Sequence, residues 1–211
     1  MKIPVVAPLV AALLLAAGMA TGSVDAADAP ADDASPPSGR YLLMDANGRA
    51  VTNADFPGQF QLIAFGYTYC PDICPTTLVE AAAILKRLGA RADRVQPIFI
   101  TVDPQRDTPQ VLATYTAYFH PRIIGLTGSA SLIARAAQNF NARYEKVTEP
   151  GAPADRYHVD HSAGMYLLGP DGSYIRKFGY STPAVEIAER IEALLSETPE
   201  SEMTQRLLPP G

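Results

Sequence analysis

Apolar runs of strand length alternate with segments of helical periodicity through the middle of the chain. The runs FQLIAFGYT (60–68) and VQPIFITV (95–102) are almost continuously apolar, which is typical of strands buried on both faces of a sheet. Apolar positions recur at helical spacing in PTTLVEAAAILKRLG (75–89), SLIARAAQNFNARYE (131–145) and AVEIAERIEALL (184–195). These three segments are therefore predicted to be helices.

Residues that begin or end helices flank these segments. Thr77 and Glu80 fit the capping-box pattern, and Gly89 fits a C-terminal stop for the same helix. Pro109 predicts the start of a further helix and Pro183 the start of the last one, because proline suits the first helical turn.

Two predicted hairpins frame this central part. RYLLMDANGRAVT (40–52) contains Asn47-Gly48, which supplies the positive φ angles of a tight turn. AGMYLLG and SYIRKFG flank the turn Pro170-Asp171-Gly172. The order β-β-β-α-β-α-α-β-β-α indicates an α/β fold, with strands and helices alternating around a mixed central sheet.

The two ends of the chain differ in composition from the middle. The apolar run IPVVAPLVAALLLAAGMA is followed by small residues, with Val24-Asp25-Ala26 as a cleavage site. We interpret residues 1–26 as a secretory signal peptide, with an uncleaved N-terminal membrane anchor as the alternative. Residues 27–39 are predicted to be a flexible linker and residues 196–211 a flexible tail, because both lack an apolar pattern. Residues 40–195 then form the folded domain.

The balance of charge excludes one class of partner. The chain of 211 residues has a net charge of −5, and loss of residues 1–26 removes one lysine and one aspartate and leaves that charge unchanged. A negative surface argues against nucleic-acid binding, which needs a basic face. A domain of about 150 residues buries roughly 70% of its unfolded surface, so this fold does not need a disulfide for its stability.

Both cysteines of the chain, Cys70 and Cys74, lie in the stretch GYTYCPDICP. They follow a predicted buried strand and precede a helix, where α/β sheets bind ligands and where the helix N-terminus favours a thiolate. Bridging two residues four apart closes a very small loop and stabilises the fold little. A redox pair and a soft-metal site for Cu(I) therefore stand beside a structural disulfide as interpretations.

Few further side chains are available as metal ligands. His120 is predicted to be a solvent-exposed residue at a helix C-terminus, and Met165 a core residue of a strand. Alternation along an extended segment would send His158 and His161 to opposite sides, so at most one of them faces the cysteines. Asp72, between the cysteines, favours a turn.

Two classes of thiol enzyme are tested by their motifs. A peroxiredoxin has threonine or serine three residues before its cysteine, where this chain has Tyr67 and Pro71. A thioredoxin has Cys-x-x-Cys and a proline that opens the facing strand. Here three residues separate the cysteines, and residues 154–169 contain no proline. Neither pattern is met.

Three stretches resemble the hallmark sequences of the Sco/SenC family: FGYTYCPDICPTTL, TVDPQRDTP and VDHSAGMYLLGPDG. The similarity extends over residues 40–195, in the same order. The resemblance implies a thioredoxin-like three-layer fold, with a mixed central sheet flanked by helices and an N-terminal β-hairpin. It also implies a periplasmic copper metallochaperone, free or anchored on the outer face of the cytoplasmic membrane, that assists assembly of the binuclear copper centre of cytochrome c oxidase.

The same resemblance implies a copper site made of Cys70, Cys74 and His161, with Cu(I) or Cu(II) as the working form. His158 is a bystander, and Asp103 is either a strand-end turn residue or has a copper-related role. The implied partners are the copper-accepting subunit of the oxidase, other periplasmic copper carriers and thioredoxin-like reductants. The alternative function is a thiol–disulfide oxidoreductase or redox sensor, with Cys70 and Cys74 as the catalytic redox pair. A third interpretation is a secreted thioredoxin-like domain with an inert disulfide.

The segment before His161 has a pattern of its own. KVTEPGAPADRYH (146–158) is rich in proline, glycine and charge and lacks apolar periodicity. We predict that this segment is mobile without metal and becomes ordered when His161 binds one.

Overall fold

A computed structural model describes residues 36–153 and 155–197 of the chain. The strands are β1 (Leu42–Met44), β2 (Ala50–Thr52), β3 (Phe60–Gly66), β4 (Val95–Thr101), β5 (Ile124–Leu126), β6 (Tyr144–Thr148), β7 (Tyr157–His161), β8 (Met165–Leu168) and β9 (Tyr174–Phe178). The helices are α1 (Ile73–Leu88), α2 (Pro109–Phe119), α3 (Ala130–Asn139) and α4 (Ala184–Glu197), with a short 3-10 helix at Gly89–Arg94. The predicted signal peptide or anchor, most of the linker and the tail beyond residue 197 lie outside the described residues.

A five-stranded mixed sheet forms the centre of the domain, in the order β5-β4-β3-β8-β9. β3 is parallel to β4, and β4 to β5, whereas β8 is antiparallel to both β3 and β9. Every residue of β3 is buried, as its apolar run predicts. β3 and β4 end together, with Gly66 paired to Thr101, so the loops after both strands meet at one edge of the sheet. The predicted α/β fold with a mixed central sheet is confirmed.

The first helix begins earlier than its capping pattern indicates. α1 starts at Ile73, after an N-cap residue, Asp72, whose side chain makes no capping hydrogen bond. Thr77 lies inside the helix and donates from Oγ1 to the Ile73 carbonyl oxygen (2.7 Å). Glu80 accepts a hydrogen bond from the backbone N–H of Ala184 (3.1 Å). The capping-box prediction is therefore wrong, because Glu80 ties α1 to the start of α4 instead.

The third helix is shorter than its periodicity predicts. α3 ends at Asn139, and Asn141 adopts the left-handed conformation with a φ of 52°. The apolar pattern continues past this end because Phe140 is a core residue, 1% exposed. Tyr144–Thr148 form β6, which pairs antiparallel with β7. Both ends of the segment 146–158 are therefore strands, which its lack of apolar periodicity did not predict, because backbone hydrogen bonds rather than an apolar face hold them. Its mobility without metal stays a prediction.

Both predicted hairpins form. β1 pairs with β2, and β8 with β9, each time antiparallel. In the first turn Gly48 has a φ of 74°, but Asn47 does not take a positive φ, so only the glycine of the pair behaves as expected. In the second turn Gly172 has a φ of 77°, and a Cβ there would lie 2.8 Å from the backbone oxygen of Asn53.

Hydrogen bonds and helical structure continue past both ends of residues 40–195. Ser38 and Gly39, at the end of the predicted linker, donate their backbone N–H groups to the Asn139 carbonyl oxygen (2.8 and 3.3 Å). At the other end α4 continues to Glu197. Within the described ranges, every helix is too short or too polar to cross a membrane.

Candidate metal centre

Cys70, Cys74 and His161 converge at the edge of the sheet where β3 and β4 end. Their ligand atoms, two sulfurs and one imidazole nitrogen, all lie within 4.8 Å of one another. Cys70 lies in the turn after β3, where its N–H donates to the Tyr67 carbonyl oxygen (3.2 Å). Cys74 lies in the first turn of α1, and His161 is the last residue of β7. The structure thus brings together the three predicted site residues from a loop, a helix and a hairpin.

Cys74 is enclosed by the sheet beneath it. It is 2% exposed, against 8% for Cys70. Gly66 packs on its sulfur, since a Cβ built on Gly66 would lie 2.7 Å from the Cys74 Sγ. Burial, and then the hydrogen bond with Cys70, raises the pKa of the Cys74 thiol. This direction is opposite to the one expected from the helix N-terminus, because loss of water around the sulfur disfavours its charged form.

His161 presents its Nε2 atom to the cysteines. Its Nδ1 lies 3.2 Å from the Ser162 carbonyl oxygen, which can only accept, so Nδ1 carries the hydrogen. Nε2, 3.3 Å from the Cys74 Sγ, therefore carries the lone pair of the neutral ring and accepts a hydrogen bond from the Cys74 thiol. Burial lowers the pKa of His161, which favours this neutral form. The Tyr67 ring meets the imidazole edge to face, with 5.9 Å between ring centroids.

The other candidate ligands lie away from this centre or in the core. His158 is exposed, with its Nε2 3.5 Å from Asp160, whereas His161 lies on the more buried side of β7 with the cysteines, so the predicted separation of the two histidines is confirmed. His120 is the C-cap of α2, as predicted, but it is half-buried and its Nδ1 accepts from the Arg122 N–H. Met165 is 6% exposed in β8, a core residue as predicted.

Asp103 has a structural role at the end of β4. It is 4% exposed, pairs with the Nε of Arg106, and accepts a hydrogen bond from the Tyr157 hydroxyl (2.9 Å). Among the described residues, the cluster suited to a metal contains both cysteines and His161 but not Asp103. The turn interpretation of Asp103 therefore fits the contacts better than a ligand role.

Asp107 holds the loop that carries Cys70. It is fully buried, and its Oδ2 accepts from the Thr68 N–H (3.0 Å) and from the Thr101 hydroxyl (2.7 Å). Its Oδ1 accepts from the Thr68 hydroxyl (2.6 Å). One carboxylate thus joins the end of β4 to the residue two positions before Cys70.

Replacing Asp107 with asparagine should change how stability depends on pH. Burial chiefly, and also the charge of Asp103, raises the pKa of Asp107, against the opposing hydrogen bonds from Thr68 and Thr101. The pKa of Asp107 in the folded state lies above its unfolded value of about 3.9. The contribution of Asp107 to stability is therefore fully present below pH ~3.9 and is lost as the pH rises through the folded pKa. Urea unfolding of the reduced protein should therefore show that the free energy of unfolding of Asp107→Asn rises relative to that of the wild type as the pH is raised from about 3.5 to 7. A difference that stays constant with pH would contradict this assignment.

Sequence reasoning assigned Asp107 only to the start of a helix and passed over Arg106, although both stand in the hallmark stretch TVDPQRDTP. A signal was present. This stretch follows a buried strand whose parallel neighbour leads into the cysteines, and the carboxyl ends of parallel strands meet at one edge of a sheet. Polar residues directly after such a strand are therefore candidates for contact with the site.

Comparison with known proteins identifies what the chain is similar to. The SCO1/SenC family matches residues 29–196. The mouse protein "Protein SCO2 homolog, mitochondrial" is 43% identical over 155 residues, covering 72% of this chain and 60% of the mouse protein. The chain therefore spans about 60% of the length of the curated mammalian relatives it matches.

Solved structures match the fold. The crystal structure of Arabidopsis thaliana ScoI with copper bound is 33% identical, with a TM-score of 0.70, and the match covers 76% of this chain and 99% of that one. BsSco, described as having a disulfide switch and as a member of the Sco family of cytochrome c oxidase assembly proteins, is 26% identical with a TM-score of 0.61, covering 79% of this chain and 98% of that one. These matches confirm the thioredoxin-like fold implied by the sequence resemblance.

Proposed function

The chain belongs to the SCO1/SenC family, and we propose that it is a copper-binding protein that assists assembly of the binuclear copper centre of cytochrome c oxidase. The observation that carries this proposal is the convergence of two sulfurs and one imidazole nitrogen within 4.8 Å. The copper bound in the Arabidopsis thaliana relative and the oxidase-assembly description of BsSco support it.

The donor set determines which form of copper fits. Two thiolates and a neutral imidazole are soft or intermediate ligands, which suit Cu(I). A structural zinc site takes four protein ligands, and the cluster formed by the described residues supplies three. In this proposal Cys70 and Cys74 hold the ion as thiolates, and His161 binds it through Nε2. Copper is the cargo, so the site must release it as well as bind it.

The arrangement also supports release. Both cysteines are buried, whereas His161 is half-buried and borders a surface depression lined by Arg143, Tyr144 and Glu145. An acceptor group approaching from this side meets His161 first, and exchange of the imidazole begins the transfer. The acceptor in our proposal is the copper-accepting subunit of the oxidase, outside the cytoplasm. Residues 1–26 support this location through their signal-peptide pattern.

A second function is favoured by one observation. Cys70 and Cys74 are free thiols whose sulfurs lie within 4.8 Å of each other, which is close enough for a redox pair. The protein would then be a thiol–disulfide oxidoreductase or redox sensor that acts on the cysteines of the same target. His161 separates the two functions, because thiol–disulfide exchange needs no imidazole ligand.

Replacing His161 with alanine should abolish oxidase assembly in cells that depend on this protein. The reason is that His161 supplies one of three copper ligands. His158→Ala is the matched control and should behave as the wild type, because His158 lies on the opposite side of the same strand. The measurement is cytochrome c oxidase activity and copper content in complemented cells, with equal protein levels confirmed by immunoblot.

Two outcomes would redirect the proposal. If His161→Ala assembles the oxidase and the double replacement Cys70→Ser/Cys74→Ser does not, the protein acts by thiol exchange. If the double replacement also assembles it normally, neither chemistry is required and the domain acts in another way.

A further inference from the structure

The hairpin that carries His161 is separate from the central sheet. β6 and β7 pair only with each other in the described part of the chain, as a two-stranded sheet. The two cysteines are fixed to the body by β3 and α1, whereas His161 reaches them from the end of this hairpin. The distance between His161 and the cysteines therefore depends on how the hairpin is fastened to the body.

Tyr157, at the start of β7, makes several contacts with the body of the domain. Its carbonyl oxygen accepts a hydrogen bond from Arg106 Nη1 (3.0 Å), and its hydroxyl donates to Asp103 (2.9 Å). The guanidinium carbon of Arg106 lies 3.7 Å from the centroid of the Tyr157 ring. Lys146 of β6 also approaches the ring, with its Nζ 3.6 Å from the centroid.

Arg106 also contacts the loop that carries Cys70. Its guanidinium carbon lies 4.8 Å from the Tyr69 ring centroid and 5.5 Å from the Tyr67 ring centroid. The side chains of Arg106 and Asp103 are 19% and 5% exposed, so the ion pair between them is partly shielded from water. Cation–π contacts strengthen when they are desolvated in this way. One planar guanidinium thus touches three segments: the cysteine loop, the loop after β4, and the hairpin.

We propose that Arg106 is a positioning residue for the metal centre. It fastens the Tyr157 end of the hairpin to the cysteine loop and thereby sets the distance between the His161 Nε2 atom and the two sulfurs. Only arginine has the fork that can pair with Asp103, donate to the Tyr157 carbonyl and stack on its ring at once. The part of this inference that concerns copper affinity rests on the proposed function; the fastening of the hairpin does not.

The first test needs no metal. In the reduced apo protein, Arg106→Met should speed amide hydrogen exchange in residues 144–148 and 157–161, while β3 and β4 keep their protection. Arg122→Met is the matched control. Arg122 likewise pairs with an aspartate (Asp93, 3.2 Å) and donates to a carbonyl oxygen (Val95, 3.0 Å), but at the opposite end of β4. Unchanged exchange in the hairpin would overturn the proposal.

The second test asks whether Arg106 acts through His161. Arg106→Met should weaken Cu(I) binding about tenfold, the lower end of the loss seen when residues that orient a metal ligand are changed. In the His161→Ala background the same change should have almost no effect, because the ligand that Arg106 positions is gone. An equal loss of Cu(I) affinity on Arg106→Met in the wild type and in His161→Ala would overturn the proposal.

Two provisions keep the test decisive. Arg106→Met could fail to fold, because Asp103 loses its partner. In that case Arg106→Lys is used, which keeps the charge and removes the forked guanidinium. It should show the same faster hydrogen exchange and weaker Cu(I) binding, with smaller changes. If the wild type shows no Cu(I) binding that depends on His161, the proposed function fails. The hydrogen-exchange result then decides the positioning role alone.

Discussion

Replacing Cys74 with serine should lower the affinity for Cu(I) by roughly 100-fold or more. The scale comes from structural zinc sites, whose binding free energy is about 10–16 kcal/mol. Shared among four ligands, this gives about 2.5–4 kcal/mol for each ligand. A hydroxyl is a hard donor that does not replace a thiolate toward Cu(I). The measurement is a competition titration of the reduced protein against a chromophoric Cu(I) chelator.

The order of the ligand variants is also predicted. Cys70→Ser should lose as much Cu(I) affinity as Cys74→Ser. His161→Ala should lose less affinity, because both sulfurs remain to bind the soft ion. His158→Ala should bind as the wild type does. Cys74 is buried, so the thermal midpoint of each apo variant must be compared to separate lost ligation from lost folding. Wild-type affinity in folded Cys74→Ser would contradict the assignment of the site.

Replacing Gly66 with alanine should damage both the stability and the metal centre. The new methyl group would lie 2.7 Å from the Cys74 Sγ and 2.7 Å from the Phe99 ring, and both groups belong to the core. Overpacking of this kind costs about 1–3 kcal/mol. For a domain of this size that lowers the thermal midpoint by roughly 2–12 °C. Cu(I) affinity should fall as well, because metal ligands must be placed to within about 0.2 Å.

Two other glycines separate these effects. The three atoms nearest to a Cβ on Gly125 all belong to Leu112, with the Leu112 Cβ at 2.8 Å, so Gly125→Ala should lower the stability and leave the Cu(I) affinity unchanged. A Cβ on Gly179 meets only the Thr182 Oγ1 at 3.9 Å, so Gly179→Ala should change neither. If Gly66→Ala and Gly125→Ala bind Cu(I) equally well, Gly66 does not act through Cys74.

The elements that the sequence predicted well are those whose burial leaves a periodic pattern. β3 and β4 are continuous apolar runs because both of their faces are covered, and the turn of the last hairpin is marked by Gly172. The elements that were missed leave no such pattern. β5 has three residues, and β6 is largely exposed, so each forms by pairing with a neighbour that only the folded chain supplies.

The sequence by itself determined the family, the cysteine pair and the separation of His158 from His161, since these depend on residue identity and on local alternation. Tertiary structure decided the rest. Cys74 is held against Gly66, so its thiol resists ionisation despite the helix N-terminus. Asp107 and Arg106 reach the site because parallel strands end at one edge of the sheet. The physical reason is distance along the chain: desolvation and contacts between remote segments exist only after the chain has folded.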